Sequence, residues 1–244
     1  MLEREIKFNC KVIKIHYRDD SDQSVIDEFF VDKMYRSVES IISNIPASSA
    51  GRQYPILDIG AHIGVFSLYS YVLCPPSYVL ALEPEPNNFK LLKDNLKLNG
   101  CKNVKVLQAA LVTGKESTTK LYLSKNTHNH STLSLRGAGG DAAIQSPSIT
   151  VPAINLEQLM KKHKIKKIGL LKSDIEGAEF EIIQNMKHGT WSKIQNVVVE
   201  YHESGQNKRS ELETLIRSHG FSVEHFPNKF DKRFGLLVCR NKKM

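Results

Sequence analysis

The sequence predicts an α/β fold: a mostly parallel sheet with helices on both faces. Short buried strands alternate with helical segments through most of the chain, and this alternation is typical of doubly wound sheets. The length of 244 residues suits one sizeable α/β domain with a small extension. We assign residues 1–53 to an N-terminal strand-helix extension and residues 54–244 to the α/β domain. In such sheets ligands bind beyond the carboxyl ends of the strands, where the strand order reverses.

In the extension, residues Lys7 to His16 alternate as a strand does, and Val25 to Ser43 carries apolar residues at helical spacing. Pro46 to Gly51 reads as a turn-rich linker. In the α/β domain we expect the main strands at Pro55 to Ile59, Tyr78 to Leu82, Val104 to Leu107, Ile168 to Lys172 and Asn196 to Glu200. The helices are expected at Val65 to Leu73, Asn87 to Leu98 with Asn87 as N-cap, Asn155 to His163, Ala178 to Met186 and Arg209 to His219. Additional extended segments are Lys120 to Leu123 and Ile149 to Ile154, with a closing antiparallel pair at Phe221 to His225 and Gly235 to Cys239.

The composition is that of an ordinary soluble globular protein, with 41% hydrophobic and 25% charged residues. No apolar run approaches the roughly 20 residues that a membrane helix needs, and the first residues are too charged for a secretory signal. Four scattered cysteines without a CxxC pair are typical of reduced thiols. We therefore expect a cytoplasmic protein without a membrane partner.

The formal net charge is +8, part of it in the run Lys161 to Lys167. Such runs usually form solvated faces, and no aromatic residues interleave as a nucleic-acid stacking platform requires. A nucleic-acid partner is therefore disfavoured but stays open. The sequence carries no signal for the oligomeric state.

The first strand of the α/β domain runs into the turn Asp58-Ile59-Gly60-Ala61-His62-Ile63-Gly64 and then into a helix. Glycine at position 60 lets the backbone turn tightly and approach a ligand, and the following helix start presents free N–H groups. A dinucleotide-binding fold has its second glycine where this chain has His62. The turn therefore favours a ligand without a pyrophosphate, and Asp58 can accept hydrogen bonds from the turn or from a ligand amine.

Glu83 ends the next strand, in the place where an acidic residue of dinucleotide-binding folds accepts both ribose hydroxyls. The combination of the glycine turn and Glu83 thus indicates a nucleoside ligand. Glu85 is better explained as a charge at the start of a helix.

Several segments resemble FkbM-type methyltransferases. They are Leu57 to Leu68 (LDIGAHIGVFSL), Ala81 to Pro86 (ALEPEP), Leu92 to Asn99 (LKDNLKLN), Leu171 to Glu179 (LKSDIEGAE) and Val199 to His202 (VEYH). The resemblance covers about Pro55 to His202, and its last two segments are specific to this family among class I methyltransferases. One departure is His62, where the family commonly has Asn.

The resemblance implies a seven-stranded Rossmann-like class I methyltransferase fold, S-adenosylmethionine as donor, and O-methylation of a hydroxyl on a small natural product or saccharide. It places the Gly60 turn along the methionine and ribose, Glu83 at the ribose, and Gln108 and Ala109 beside the adenine. The residues assigned to the cofactor site are Asp58, Gly60, Ala61, His62, Gly64, Glu83, Gln108, Ala109 and Asp174.

Methyl transfer to a hydroxyl requires that the hydroxyl lose its proton, and a carboxylate or an imidazole near the strand ends can take it. Asp174 and His202 are the two candidate bases, and the sequence does not separate them. Hard oxygen ligands here could instead hold Mg²⁺, which would lower the hydroxyl pKa, although no residue is assigned as a metal ligand. The structural alternative is that Asp174 caps a helix and that Glu176 and Glu179 complement its dipole.

The segments expected to form the acceptor pocket, Met1 to Gln53 and Thr113 to Ser148, carry no chemical signature. Within the second are a glycine-rich loop at Gly137 to Gly140, two histidines and a serine-containing segment. His128 and His130 are interpreted as polar loop residues, and Ser131 and Thr132 fall near a loop that covers the donor in the family. Trp191 is expected to pack a helix end.

Three other functions stay open. The basic charge is compatible with an RNA or protein methyltransferase, and the same fold can serve as a nucleoside-binding module without chemistry. An NAD-type oxidoreductase is disfavoured because the turn has no middle glycine.

Overall fold

The computed structural model describes residues 1–45, 54–124, 147–203 and 208–243. Its strands are β1 (Leu2–Phe8), β2 (Lys11–Tyr17), β3 (Ile56–Ile59), β4 (Val79–Leu82), β5 (Val104–Leu107), β6 (Ala110–Leu111), β7 (Thr118–Tyr122), β8 (Ser148–Ile154), β9 (Ile168–Ser173), β10 (Ile194–His202), β11 (Phe221–Pro227) and β12 (Phe234–Asn241). Its α-helices are α1 (Asp20–Phe30), α2 (Glu39–Ser43), α3 (Val65–Leu73), α4 (Pro86–Leu98), α5 (Leu156–Lys162), α6 (Glu179–Asn185), α7 (His188–Trp191) and α8 (Arg209–Ser218), with a 3-10 helix at Met34–Val38.

Seven strands form the central sheet in the order β11-β12-β10-β9-β3-β4-β5. Neighbouring strands are parallel except at β12, which runs antiparallel to both β10 and β11. The predicted mostly parallel, seven-stranded Rossmann-like sheet is therefore confirmed, including its closing antiparallel pair. From β3 the chain continues outward to β4 and β5, and from β9 it continues the other way to β10. The strand order thus reverses between β3 and β9, which is where a ligand cleft is expected.

Both faces of the sheet are buried, as a parallel sheet requires. Side chains such as Ile56, Leu170 and Val198 pack with α3, α4 and the extension on one face. Their sequence neighbours, such as Leu57 and Leu171, point to the opposite face and pack with α5, α6 and α8. This alternation explains why each strand reads as a continuous apolar run.

The extension differs from its predicted form in both elements. The single strand expected at Lys7 to His16 is a hairpin of β1 and β2, and its turn residues Asn9 and Cys10 both have left-handed backbone angles. Asn tolerates this conformation, but the absence of glycine hid the turn. The single helix expected at Val25 to Ser43 is α1, the 3-10 helix and α2 in succession. It begins earlier because Asp19 caps α1, and it breaks near Lys33, which is left-handed.

Asn95 of α4 and Asn99, which follows the last residue of α4, attach the extension to the core. Asn99 and Asn95 each accept a hydrogen bond from, and donate one to, the backbone of β2 at Lys14 and His16, at 2.7 to 3.0 Å. Each side-chain amide thereby replaces a neighbouring strand along the edge of β2. The domain boundary at residue 53 stays a prediction.

The start of α4 corrects one assignment. Glu85, not Asn87, is the N-cap, because its carboxylate accepts the Asn88 N–H at 2.6 Å and Pro86 occupies the first helical position. The interpretation of Glu85 as a residue of the helix start is confirmed. Among the described residues, the helices are all too short or too polar to cross a bilayer.

Candidate active site

A cleft opens at the carboxyl ends of β3 and β9, with about 960 Å³ of empty space counted to its mouth. Gly60 forms its floor, with φ of +75°. A Cβ atom at this position would lie 1.8 Å from the backbone oxygen of Asp174. The turn after β3 and the exit of β9 are therefore in backbone contact, and only glycine allows this.

A buried lysine joins the two strands beneath this contact. Lys172 lies opposite Asp58 in the β3–β9 ladder. Its Nζ donates to the Gly60 carbonyl at 2.8 Å and forms ion pairs with Asp174 Oδ2 at 3.2 Å and Asp58 Oδ1 at 3.4 Å. The Ser67 hydroxyl donates to the other oxygen of Asp58 at 2.6 Å. Asp58 is therefore fully buried and holds Lys172 beneath the turn.

These contacts determine the charge of the group. Burial by itself lowers the pKa of Lys172, but Asp174, Asp58 and Glu200 outweigh it, and the net shift is upward. Burial also raises the pKa of Asp58, while Lys172 and Ser67 oppose that shift. The ammonium group thus stays protonated at neutral pH.

Glu83 lies at the end of β4, where the sequence places it, and lines the cleft. One carboxylate oxygen accepts the His62 N–H at 2.8 Å, and the other accepts the Glu85 N–H at 3.0 Å. Burial raises the pKa of Glu83, although His62 and the backbone hydrogen bonds oppose the shift. The carboxylate is thus fixed in orientation at the cleft wall.

His62 connects this wall to the extension. It adopts a left-handed conformation (φ of +49°), and its Nε2 lies 3.1 Å from Asp22 Oδ1. Asp22 is fully buried and accepts from both Nε and Nη2 of Arg18 at 2.8 Å, and Arg18 also donates to Asn88 at 2.6 Å. The first turn of α1 therefore holds two residues that line the cleft, His62 and Asn88.

The end of the cleft beyond Glu83 is apolar. A second, three-stranded sheet has the order β6-β8-β7. At this end the wall of the cleft consists of small and aliphatic side chains after β5 and on this sheet: Ala109, Ala110, Leu111 and Leu121. Ala61 lines the cleft as well. Gln108 and Gly64 are outside the set of described residues that line it, and Gly64 instead starts α3 with φ of +93°.

The opposite end of the cleft is acidic. Four carboxylates line it: Glu28, Asp174, Glu176 and Glu200. Burial raises the pKa of Asp174, but the charges of Lys172 and His202 outweigh it and the net shift is downward. Burial and the neighbouring carboxylates raise the pKa values of the other three, to about 9 for Glu28, about 8 for Glu176 and about 7 for Glu200. Asp174 is thus the carboxylate that stays ionised at neutral pH.

The similarity of this chain to known proteins agrees with the geometry of the cleft. Residues 58–223, more than half of the chain, match the methyltransferase FkbM domain. The chain belongs to the FkbM methyltransferase family. It is 30% identical over 225 residues to methyltransferase sdnD of Sordaria araneosa, with 82% of each chain covered.

A second relative is the 31-O-demethyl-FK506 methyltransferase FkbM of Streptomyces tacrolimicus, which is 26% identical over 192 residues, covering 69% of this chain and 72% of that protein. Among solved structures, an rRNA methylase from Streptococcus thermophilus superposes with a TM-score of 0.51 at 9% identity, covering 86% of this chain and 98% of that one. This likeness shows the fold alone. Fold and family together imply S-adenosylmethionine as the methyl donor of this FkbM-family chain.

In this methyltransferase His202 has a different environment from Asp174. Its ring nitrogens lie 3.4 Å from Glu176 and 3.3 Å from Glu179, and it is outside the set of described residues that line the cleft. Burial lowers the pKa of His202, but Glu179, Glu176 and Glu200 outweigh it and raise it well above its usual value. The protonated form of His202 is therefore favoured beside the carboxyl groups of Glu176 and Glu179.

Three of these groups could in principle chelate a metal, because ligand atoms of Asp174, Glu176 and His202 lie within 4.8 Å of one another. However, Asp174 already faces the Lys172 ammonium at 3.2 Å, and the third group is an imidazole, whereas Mg²⁺ takes oxygen ligands. The residues therefore do not fit the Mg²⁺ ion that the sequence left open.

The helix-capping alternative for Asp174 is wrong, because α6 begins after Ala178 and receives no side-chain cap. Glu179 does have the structural role expected of it. Its buried carboxylate accepts the N–H groups of Ile175 and Gly177 at 2.8 and 2.7 Å.

The expected packing of Trp191 is confirmed, since its buried ring stacks on His219 at the end of α8. Other assignments lie outside the described residues: His128, His130, Ser131, Thr132, the Gly137 to Gly140 loop and the Pro46 to Gly51 linker.

Three functional residues were not predicted from the sequence. Lys172 is a lysine inside an otherwise apolar strand, which is a usable signal because a buried ammonium needs an acidic partner. Asp22 shares the buried face of α1 with Ile26 and Phe29, so a carboxylate within that apolar pattern was a usable signal as well. Glu28 carries no such signal, because polar helix positions usually contact solvent.

Proposed function

We propose that this chain O-methylates a hydroxyl group of a small natural product, with Asp174 as general base. The observation that carries the proposal is the placement of the ionised Asp174 carboxylate in the cleft, held by Lys172 at 3.2 Å. The relative from Streptomyces tacrolimicus, whose name describes an O-demethyl acceptor, supports the reaction class.

The chemistry of the cleft suits the donor. An apolar wall at Ala109 and Leu121 can cover an adenine ring, and Glu83 can accept ribose hydroxyls beside it. Asp58 differs from its expected direct contact with the donor, since it lies buried beneath the turn and would act through Lys172 and the Gly60 carbonyl. S-adenosylmethionine supplies a methyl group on a sulfonium cation, and the acidic end of the cleft favours positive charge there.

The contacts favour Asp174 over His202 as the proton acceptor. A protonated imidazole has no lone pair to offer, whereas Asp174 is ionised and faces the cleft. Lys172 orients the Asp174 carboxylate and keeps it charged. Asp174 accepts the hydroxyl proton as the acceptor oxygen bonds to the methyl carbon and the bond between that carbon and the donor sulfur breaks, with S-adenosylhomocysteine as the leaving group. Neighbouring Glu200, with a pKa of about 7, is the alternative proton acceptor.

The charge distribution disfavours nucleic acid at this cleft. Nucleic-acid binding depends on Lys and Arg contacts to phosphates, whereas four carboxylates and one lysine occupy the acceptor end. The net charge of +8 belongs to other surfaces of the chain.

The first test is calorimetric titration with S-adenosylhomocysteine and with NAD. Binding of the first and not the second is expected, and the reverse result would exclude the proposal. The second test is Asp174→Asn, with Glu181→Gln on α6 as the matched control. We expect Asp174→Asn to bind S-adenosylhomocysteine normally and to lose about 10²- to 10⁴-fold in turnover, measured as S-adenosylhomocysteine release with a panel of hydroxylated acceptors.

The pH dependence separates the candidate bases. With Asp174 as base, turnover stays flat above about pH 5, because its pKa lies below that of a free aspartate. A rise through pH 7 that disappears in Glu200→Gln would assign the role to Glu200 instead.

A further inference from the structure

A second depression lies between the extension and the β11–β12 hairpin. Its empty space, which includes the solvent at its open mouth, is about 960 Å³ and equals that of the cleft. Five apolar side chains line it: Met34, Phe226, Pro227, Phe230 and Leu236. We call it the hairpin groove.

The hairpin groove adjoins the acidic end of the cleft. Glu28 on α1 lines both. The 3-10 helix, like Glu28, lies between the groove and the cleft. Met34 lines the groove, while the hydroxyl of the next residue, Tyr35, donates to Glu200 in the cleft at 3.0 Å. A molecule in the groove therefore has the cleft carboxylates directly beyond Glu28.

Two aromatic side chains of the groove are exposed within the described part of the chain. Phe230 is 88% exposed and Phe226 37%. The loop that carries Phe230 is nevertheless held in place, because Asn228 Oδ1 accepts the N–H groups of Phe230 and Asp231 at 2.8 and 3.3 Å. An ordered, exposed aromatic ring beside a cavity is typical of a binding surface.

The side chains that line the groove select little against anions by themselves. Asp27 is paired with Arg4 at 2.6 Å, burial raises the pKa of Glu28 to about 9, and Asp32 stands against Lys33 and Lys229. Toward the cleft, however, the occupant meets the ionised carboxylate of Asp174, which repels a negative group.

We propose that the hairpin groove binds the apolar body of the methyl acceptor, so that the acceptor hydroxyl extends past Glu28 to Asp174. The acceptor is then a neutral or cationic alcohol or phenol with an aromatic or aliphatic body, which excludes a bare saccharide. This assignment rests on the proposed O-methyl transfer and narrows its substrate class.

The test uses 4-phenyl-1-butanol, which joins an apolar ring to a hydroxyl through a four-carbon chain, and 4-phenylbutanoate as its anionic counterpart. Each is titrated into the full chain saturated with S-adenosylhomocysteine and carrying ¹³C-methyl methionine. We expect the alcohol to shift the Met34 methyl resonance saturably and to leave Met160 and Met186, in the opposite core, unchanged. The anion should bind about ten-fold more weakly.

Phe230→Ala should weaken the binding of the alcohol by about five-fold, because one ring contact is lost. The matched control is Val31→Ala, which should leave the affinity for the alcohol unchanged. Val31 is an exposed apolar residue of the extension and does not line the groove. With S-adenosylmethionine bound, an interligand Overhauser effect is expected between the sulfonium methyl and the carbinol protons.

No saturable shift at Met34, or equal affinity in Phe230→Ala, would overturn the groove as a binding site. A Met34 shift without the interligand contact would overturn its role as the acceptor site. Failure of S-adenosylhomocysteine to bind would instead refute the proposed function, whatever the groove does.

Discussion

Replacement of Lys172 by methionine should strongly destabilise the fold, because it leaves Asp58 buried without its cation, so that Asp58 must either stay charged in the core or take up a proton. The Nζ–Oδ1 distance of 3.4 Å corresponds to about 5 kcal/mol of Coulomb attraction at an effective dielectric constant of about 20, before desolvation is subtracted. Removing one partner of a buried ion pair typically costs about 3–5 kcal/mol. We therefore expect Lys172→Met to lower the free energy of unfolding by about 3–5 kcal/mol, and the melting temperature by roughly 6–20 °C.

The free energy is measured by urea unfolding at pH 7, followed by far-UV circular dichroism and by the fluorescence of Trp191, which is buried. Lys166→Met, which removes an exposed lysine just before β9, is the matched control and should change stability by less than about 0.5 kcal/mol. The double variant Lys172→Met with Asp58→Asn should recover part of the loss, because the buried charge is then gone. A loss below about 1 kcal/mol for Lys172→Met, or additive losses in the double variant, would refute this account of the pair.

Three further perturbations follow from the same contacts. Burial raises the pKa of Glu28 from 4.5 to about 9. Between these two pH values the folded state keeps a proton that the unfolded state releases, so the free energy of unfolding should fall as the pH rises from 4.5 to about 9. Glu28→Gln should therefore raise the melting temperature at pH 9 and change it little at pH 4, and equal effects at both values would contradict the shift. Gly60→Ala should abolish S-adenosylhomocysteine binding in calorimetry, because its Cβ would collide with backbone, whereas Gly189→Ala, which meets open space, should bind normally. Asp22→Asn should weaken S-adenosylhomocysteine binding by about ten-fold through the weakened contact with His62, and unchanged affinity would show that the extension does not support the turn.

The sheet and its helices could be predicted from the sequence because their signals are local. The helix at Val65–Leu73 has the predicted bounds, since Gly64 precedes it and Pro75 follows it closely. The strand at Val104–Leu107 has them because its apolar residues are bounded by the polar residues Asn103 and Gln108. The extension lacked such marks. Its hairpin turns at Asn9 and Cys10 without glycine, and its helix is interrupted near Lys33 without proline or glycine.

Residues of the candidate site could be predicted where a single side chain follows directly after the end of a strand. Glu83 and Asp174 line the cleft because the carboxyl ends of parallel strands meet at one edge. The pairing of Lys172 with Asp58 depends on the register of two strands more than a hundred residues apart, which no local pattern contains. The protonated state of His202 depends on Glu176 and Glu179, whose approach is set by the left-handed backbone at Glu176.

The contact between α1 and the glycine turn has a consequence for attempts to change the acceptor by exchanging N-terminal segments between relatives. The same helix that contributes Glu28 to the hairpin groove also holds His62 through Asp22 and Asn88 through Arg18. A transplanted segment that brings a new acceptor surface without these two partners would loosen the donor side. Segments exchanged together with positions 62 and 88 would keep the donor side intact. The junctions of a chimaera should therefore be chosen to preserve these contacts rather than to follow the domain boundary.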